Sequence, residues 1–453
     1  GQHDVELRVM GTTDIHTHLY NYDYYKDAEV QDFGLAKTAT LIKQASAEAP
    51  NSMLFDNGDL IQGNPLGDYK AKVDVLQQGE VHPVFQAMGL LDYDAATLGN
   101  HEFNYGLDFL DTVLEGAPFP YVSANVFYDD GADDSEYYVK PYEIIKKKFT
   151  DKKGRNKVLR VGVTGVVTPQ ITQWDKAHLE GKIVTKDIVQ SVEAVIPKME
   201  KAGADIIIVL AHSGIGDAEY VEMEENATYD LTKVDGIDAI ITGHNHLKFP
   251  GDFTELPGVD TEKGTINGVP VVMPGNWGNN LGIMDLTLSK VKGDWKVTDS
   301  ATTLRNVKEV EADPAILDAV REAHEGTVNY VRTAVGTTTA DIHSYFALVQ
   351  DDPSIQIVTN AQKWYMEKQL QGTVDEETPI LSAGAPFKAG GRNGAGYYTF
   401  IPQGEIAIKN VSDLYLYPNT VATVKVTGAD VKEWLEMSAG QFKQIDSNNS
   451  GEQ

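Results

Sequence analysis

Seven side chains able to hold a cation fall at the ends of apolar runs. They are Asp14 and His16 in Thr13-Asp14-Ile15-His16, Asp59 in Asn57-Gly58-Asp59, and Asn100 in Gly99-Asn100-His101-Glu102. His212 follows Leu210-Ala211, and His244 and His246 lie in Gly243-His244-Asn245-His246. The chain has no cysteine, so disulfides and thiolate ligands are excluded and a metal must be held by nitrogen and oxygen. Seven donors are too many for one tetrahedral ion and suit two. Asp59, with two carboxylate oxygens, is the natural bridge. Two ions about 3.5–4 Å apart bind a phosphate through its oxygens and activate a water between them. Donors without sulfur suit Zn, Mn, Fe or Co better than Mg or Ca. Each motif alone is an ordinary turn, since Asp favours turns for local backbone reasons. Recurrence at five strand ends carries the reading.

The elements that must aim these groups are legible as apolar runs. Residues 5–10 alternate apolar and polar and lead to Asp14-Ile15-His16. In extended chain, residues two apart face the same side, so Asp14 and His16 can grip one ion. Residues 53–55 lead to Asp59, 95–98 to Asn100, 205–211 to His212 and 237–242 to His244. Residues 158–167, 269–277 and 281–288 read as further strands. Helical spacing marks 34–48, 81–90, 107–114 and 188–202. Tyr20, Tyr22, Tyr24 and Tyr25 sit among polar residues, which predicts a loop over a pocket. Continuous β-branched runs alternating with helices predict sheets buried on both faces. In open α/β sheets, ligands bind where the strands end.

The 453 residues are too many for one core. No run approaches the roughly 20 apolar residues of a membrane span. Asp and Glu number 67 against 38 Lys and Arg, a net charge of −29, which argues against a nucleic-acid polymer as partner. A small anionic substrate stays open, because a bound metal reverses the sign of one pocket. The absence of cysteine fits the cytoplasm or an exported protein alike. No signal peptide is visible and the chain enters a strand almost at once, as a mature or trimmed form would. Asp313-Pro314 has the residue types of an N-cap and first helical position, and an apolar face continues to about residue 335, which predicts a linker helix. Beyond it come a predicted helix over 355–370, a strand over 379–382, a Gly-rich loop over 388–394, a strand over 421–426 and a helix over 430–438. Residues 444–453 are polar and read as frayed.

The ordered set Asp14-Ile15-His16, Gly58-Asp59, Gly99-Asn100-His101-Glu102, His212 and Gly243-His244-Asn245-His246 resembles the calcineurin-like metallophosphoesterases. Thr12-Thr13, Asp23-Tyr24-Tyr25-Lys26-Asp27, Phe103-Asn104-Tyr105-Gly106 and Ala385-Pro386-Phe387-Lys388-Ala389-Gly390-Gly391-Arg392 narrow the resemblance within the 5′-nucleotidase branch. There it is similar to the bacterial 2′,3′-cyclic-nucleotide 2′-phosphodiesterase/3′-nucleotidases. The resemblance implies an α/β protein with a four-layer αββα metallophosphoesterase domain over 1–310. A linker helix over 311–338 would join it to a smaller, truncated α/β nucleotide-binding domain over 339–453.

It further implies one metal on Asp14, His16, Asp59 and His246, and another on Asp59, Asn100, His212 and His244. His101 would bond the phosphoryl oxygens and serve the leaving group, Arg392 would reach the nucleotide, and Tyr417 would stack on its base. Many 5′-nucleotidases carry Asp three residues after that His; Asn104 stands here, which favours the cyclic-phosphodiesterase branch. A second base-stacking aromatic expected later in the domain has no counterpart before Gln453. The implied partner is a small nucleotide, and the implied location is the periplasm or cell wall. The rival readings are a 5′-nucleotidase or nucleotide-sugar hydrolase, a sulfur-oxidising hydrolase, and a non-catalytic surface protein that keeps the fold.

Overall fold

Two β-sheets carry the first part of the chain, each covered on both faces. The structure is a computed structural model and describes residues 1–131 and 136–443. The first sheet has six strands in the order Asp294–Asn306, Asn280–Val291, Val5–Thr12, Ser52–Asp56, Ala95–Thr97 and Tyr121–Val122. The last four run parallel, and Asn280–Val291 joins Val5–Thr12 antiparallel. The second sheet is built on parallel Asn156–Val167, Ile206–His212, Ala239–Thr242 and Val269–Pro274, with Tyr142–Thr150 antiparallel on Asn156–Val167.

Side-chain alternation explains the layers. Ile208 and Leu210 point inward and join Leu7, Val9, Phe55 and Val161 in the core between the sheets. Ile207 and Val209, one residue out of step, meet Val192, Val195 and Met199 of the helix Ile188–Lys201 on the outside. Met10, Leu54 and Ala96 do the same for the first sheet, against Leu35, Ala39 and Ile42 of the helix Leu35–Glu48. The result is the four-layer αββα order expected from the resemblance. Every residue of Ile206–His212 is buried, which is why that strand reads as an unbroken apolar run.

The chain forms two compact units. The first is Gly1–Asp341 with Ile401–Pro418; the second is Ile342–Phe400 with the described residues from Asn419 onward. The expected parts are 1–310, a linker over 311–338 and 339–453; within the last, residues 401–418 group with the first unit. Gly404–Ala407 returns to pair antiparallel with Ala334–Thr338, and Lys409 faces Asp27 at 3.8 Å, so backbone pairing draws 401–418 into the first unit. The expected linker helix over 311–338 is two helices, Pro314–Ala319 and Arg321–Val331, interrupted at Val320. Asp313 caps the first, its Oδ1 accepting from the Ala315 N–H at 3.0 Å.

Tyr20 lies flat on His324 of the second linker helix, 3.8 Å between ring centroids and 1° between planes. The Tyr24 hydroxyl meets His324 Nδ1 at 2.6 Å, and the Tyr20 hydroxyl donates to Leu317 O at 2.8 Å. The tyrosine-rich stretch therefore docks on the linker; a cavity of about 460 Å³ lies at this contact, lined in part by Tyr20, Tyr22, His324 and Arg332.

In the second unit Pro353–Leu370 and Gly428–Ala439 are helices. The strands expected over 379–382 and 421–426 do not form. Both runs have strand-like composition, but a lone run gains little without a neighbouring ladder. The expectation for 444–453 lies outside the described residues.

Candidate metal centre

The loops after the strands bend in a way few residues accept. Asp14, His16, Asp59, His244 and His246 all have positive φ, between 49° and 76°. Outside glycine, Asp, Asn and His enter this left-handed region most readily, at a cost of about 1–3 kcal/mol each. Backbone bonds hold the bends. The Asp14 N–H donates to Gly58 O at 2.9 Å and the His16 N–H to Asp59 O at 2.8 Å. The buried Glu102 carboxylate accepts from the N–H groups of Asp59 at 2.8 Å, Leu60 at 2.5 Å, and Gly99. Gly99 is required by close approach: a Cβ there would stand 2.3 Å from the Asp59 amide nitrogen.

These loops bring the donors together in two groups, Asp14 with His16 and His246, and Asp59 with His212 and His244; within each, the donor atoms lie within 4.8 Å of one another. Asp59 Oδ2 reaches across both, 2.9 Å from His212 Nε2 and 3.6 Å from His16 Nε2. Asn100 Oδ1 stands 3.1 Å from His212 Nε2 and 3.1 Å from His244 Nδ1.

The hydrogen bonds behind the rings decide what the rings present. His16 Nδ1 is 2.7 Å from Gln62 O, and His212 Nδ1 is 2.7 Å from Asn57 O. A carbonyl only accepts, so both Nδ1 atoms carry a hydrogen and both Nε2 atoms turn toward the carboxylates, presenting lone pairs when the rings are neutral. His244 Nε2 lies 2.6 Å from Glu225 Oε2, which leaves Nδ1 as its lone pair. Thus His212 Nε2 and His244 Nδ1 converge on the Asn100 oxygen, and His16 Nε2 lies 3.2 Å from His246 Nε2. Nitrogen and oxygen donors that converge at these distances suit a cation among them. The buried Asp14 Oδ1 has no hydrogen-bond partner and sits 3.4 Å from His246 Nε2. The residues therefore fit two divalent cations sharing Asp59, with outer-shell acceptors fixing the imidazoles as in other metal sites.

The electrostatics agree. Burial alone pushes His212 down, yet the Asp59 and Asp14 carboxylates outweigh it and raise it to about 10. Asp14 is buried too, which pushes it up, but the surrounding imidazoles hold it well below the carboxylate range. His101 differs: burial carries it down to about 4, only partly opposed by Asp59. Its backbone N–H donates to Asp59 Oδ1 at 2.7 Å, and its ring packs edge-on against His16 at 5.3 Å. Its Nδ1 meets Asn104 Oδ1 at 2.7 Å.

The structure brings together all seven expected ligands and places His101 beside them. Tyr417 lies in the first unit, its ring nearly parallel to that of His101, 5.4 Å away. Arg392 lies on the exposed turn Gly391–Asn393 of the second unit. Sequence reasoning missed Glu225, which stands in an acidic run that reads as a solvated loop. It also missed Trp174, half-exposed and stacked on His244 at 6.0 Å, and Asp175, whose Oδ2 accepts from Asn104 Nδ2 at 3.0 Å. Nothing in the spacing marks either residue.

Comparison with known proteins gives the same class. The calcineurin-like phosphoesterase family profile matches residues 7–248, and that of the 5′-nucleotidase C-terminal domain matches residues 334–451. The chain is 53% identical to the trifunctional nucleotide phosphoesterase protein YfkN of Bacillus subtilis, over 99% of this chain and 31% of that protein. It is 46% identical to the 2′,3′-cyclic-nucleotide 2′-phosphodiesterase/3′-nucleotidase of Salmonella typhimurium, over 98% of this chain and 70% of that protein. The crystal structure of calcineurin-like phosphoesterase YfkN from Bacillus subtilis matches at TM-score 0.70 and 46% identity, covering 73% of this chain and 100% of that one. The chain belongs to the calcineurin-like phosphoesterase family, in the branch that carries a 5′-nucleotidase C-terminal domain.

Proposed function

We propose that this chain hydrolyses 2′,3′-cyclic nucleotides to 3′-nucleotides and 3′-nucleotides to nucleosides. The observation that carries the hydrolytic part is a single carboxylate, Asp59, shared by two convergent donor groups with His101 alongside. The substrate is supported by what the relatives with similar sequence over nearly the whole chain are named for. Asn104 in place of Asp supports the cyclic-phosphodiesterase branch as well.

Asp14, His16, Asp59 and His246 would hold one cation, and Asp59, Asn100, His212 and His244 the other. Bound there, a pair of divalent ions supplies Lewis acidity and a water acidified toward neutral pH. The remaining work falls to the chain. His101, its Nδ1 engaged by Asn104, offers Nε2 to the phosphoryl oxygens and to the departing ribose oxygen. Water enters at phosphorus as the bond to the 2′ oxygen breaks; a second water then releases phosphate from the 3′ oxygen. Tyr417, beside His101, provides a stacking face worth about 1–3 kcal/mol and indifferent to base identity. Arg392 recognises the nucleotide, a role supported by its Gly-rich motif. The reading includes residues 339–453 as the substrate-binding part and an exported location, both resting on the resemblance. Among the described residues, no helix is long and apolar enough to cross a membrane.

The test is an assay of the metal-reconstituted chain on 2′,3′-cyclic AMP, 3′-AMP and 5′-AMP. The first two are consumed and the third is spared. Cleavage of 5′-AMP with the cyclic substrate left intact would move the chain to the 5′-nucleotidase side. His101→Ala loses rate while both metals remain; a protein that only binds would have no rate to lose.

A further inference from the structure

Trp174 is a large apolar ring left 48% exposed at the rim of the metal centre. A single exposed aromatic means little by itself; its seat is what counts. One face packs on the ring of His244, 21° from parallel with 6.0 Å between centroids, and His244 is one of the convergent donors. The turn beneath is fixed. Ile171 is buried, the Trp174 N–H donates to Gln170 O at 2.9 Å, and the Asp175 N–H donates to Ile171 O at 2.9 Å. Asp175 Oδ2 accepts from Asn104 Nδ2 at 3.0 Å, and the oxygen end of Asn104 meets His101 Nδ1 at 2.7 Å. Trp174 therefore stands on the side of the centre where His101 lies. Tyr417 stands there too, its ring 5.4 Å from that of His101 and 16° from parallel. Two aromatic rings border the place where a leaving group would sit, one carried against His244 and the other against His101.

We propose that Trp174 is a specificity-determining residue: its open face stacks on the nucleobase of a substrate whose phosphate is held at the metal centre. The proposal rests on the nucleotide reading given above. On a 2′,3′-cyclic nucleotide the phosphate is fused to the ribose, so the base lies only one sugar ring from phosphorus. A base that close to the reacting atoms stays within the circle of rings that border them. Stacking is the recognition an indole gives, and it tolerates any base because every base has a π-face. The ring is held in place before substrate arrives, so little ordering is lost on binding. A ring that only braced His244 would act through metal affinity and equally on every phosphate ester. A stacking ring acts only where a base is present.

The test compares 2′,3′-cyclic AMP with the base-free 2,3-cyclic phosphate of methyl riboside, on the metal-loaded chain. Trp174→Ala lowers the preference for cyclic AMP, the ratio of the two kcat/KM values, by about 5- to 100-fold, the range of one lost base stack. Trp174→Phe keeps an aromatic face and recovers most of that ratio. Elemental analysis finds the wild-type metal content in both variants. Binding is read separately: adenosine quenches the tryptophan fluorescence of the wild type, and the quenching is lost in W174F although Trp277, Trp295, Trp364 and Trp434 remain. The proposal is overturned if the ratio is unchanged in W174A, if both substrates slow together, if metal is lost in step with rate, or if adenosine quenching is absent from the wild type or persists in W174F. A wild type that spares 2′,3′-cyclic AMP and cleaves 5′-AMP would sink the proposed substrate, while adenosine quenching would still judge Trp174.

Discussion

Imidazoles in two regions of the first unit live in opposite company. At the metal centre His212 and His16 stand against carboxylates, and both are raised in spite of burial. At the linker, His324 lies between Tyr20 and Tyr24, and burial brings it down to about 4. His82, wholly buried with Nδ1 accepting from the Val84 N–H at 3.1 Å, is pushed down to about 3. The residue type is the same, so the neighbours decide. Carboxylates make a seat for positive charge; phenols and apolar walls make a neutral peg that holds two elements together. One region is arranged for chemistry and the other for cohesion.

That contrast can be broken experimentally. Asp59→Ala removes the group common to both donor sets and should reduce turnover at least about 10³-fold, more than loss of a single transition-state donor. Rates of product formation and metal content by elemental analysis check this; retention of both ions would contradict the bridge. Next, Glu225→Ala releases the His244 ring and should weaken metal affinity about 10- to 100-fold, measured by titration against a chelator, with melting of the metal-free chain little changed. His324→Ala should do the reverse. It strands the Tyr24 hydroxyl and removes the face of Tyr20, costing about 1–3 kcal/mol, read by denaturant unfolding, while metal stoichiometry is kept. The last effect is with pH. His324 and His82 have folded values below the ordinary 6.5, at about 4 and about 3. The unfolded chain therefore binds protons that the folded chain refuses. Their contribution is fully present above pH 6.5 and is lost as pH falls toward 4 and then 3. Unfolding curves of the wild type and His324→Ala between pH 7 and 4 should converge as acid is added; parallel curves would argue against a neutral peg.

The strands and most ligands were legible because both signals are local. A run such as Ile206 to Leu210 is apolar at every position since both its faces are covered, and His212 interrupts that run where the sheet ends. Asp14, Asp59 and His244 stand beside glycine or a strand end for the same reason. What escaped was everything that depends on a partner distant in sequence. Glu225 acts only because a loop brings it to His244, and Asp175 only because the end of the short helix Ile171–Trp174 faces Asn104. The runs over 379–382 and 421–426 have the composition of strands, but pairing is a property of two segments. Tyr417 follows the same rule: the ladder between Gly404–Ala407 and Ala334–Thr338 carries it into the first unit, against His101.

The left-handed backbone at five of the seven ligands has a consequence for how this centre tolerates mutation. Glycine would relax those bends but supply no donor atom, and Glu, Cys or Lys would supply donors on a backbone that resists the bend. Asp, Asn and His meet both demands at once. The alphabet open to these positions is thus close to the one they already use, and exchange among its few letters, rather than wider replacement, is the natural route to altered metal preference.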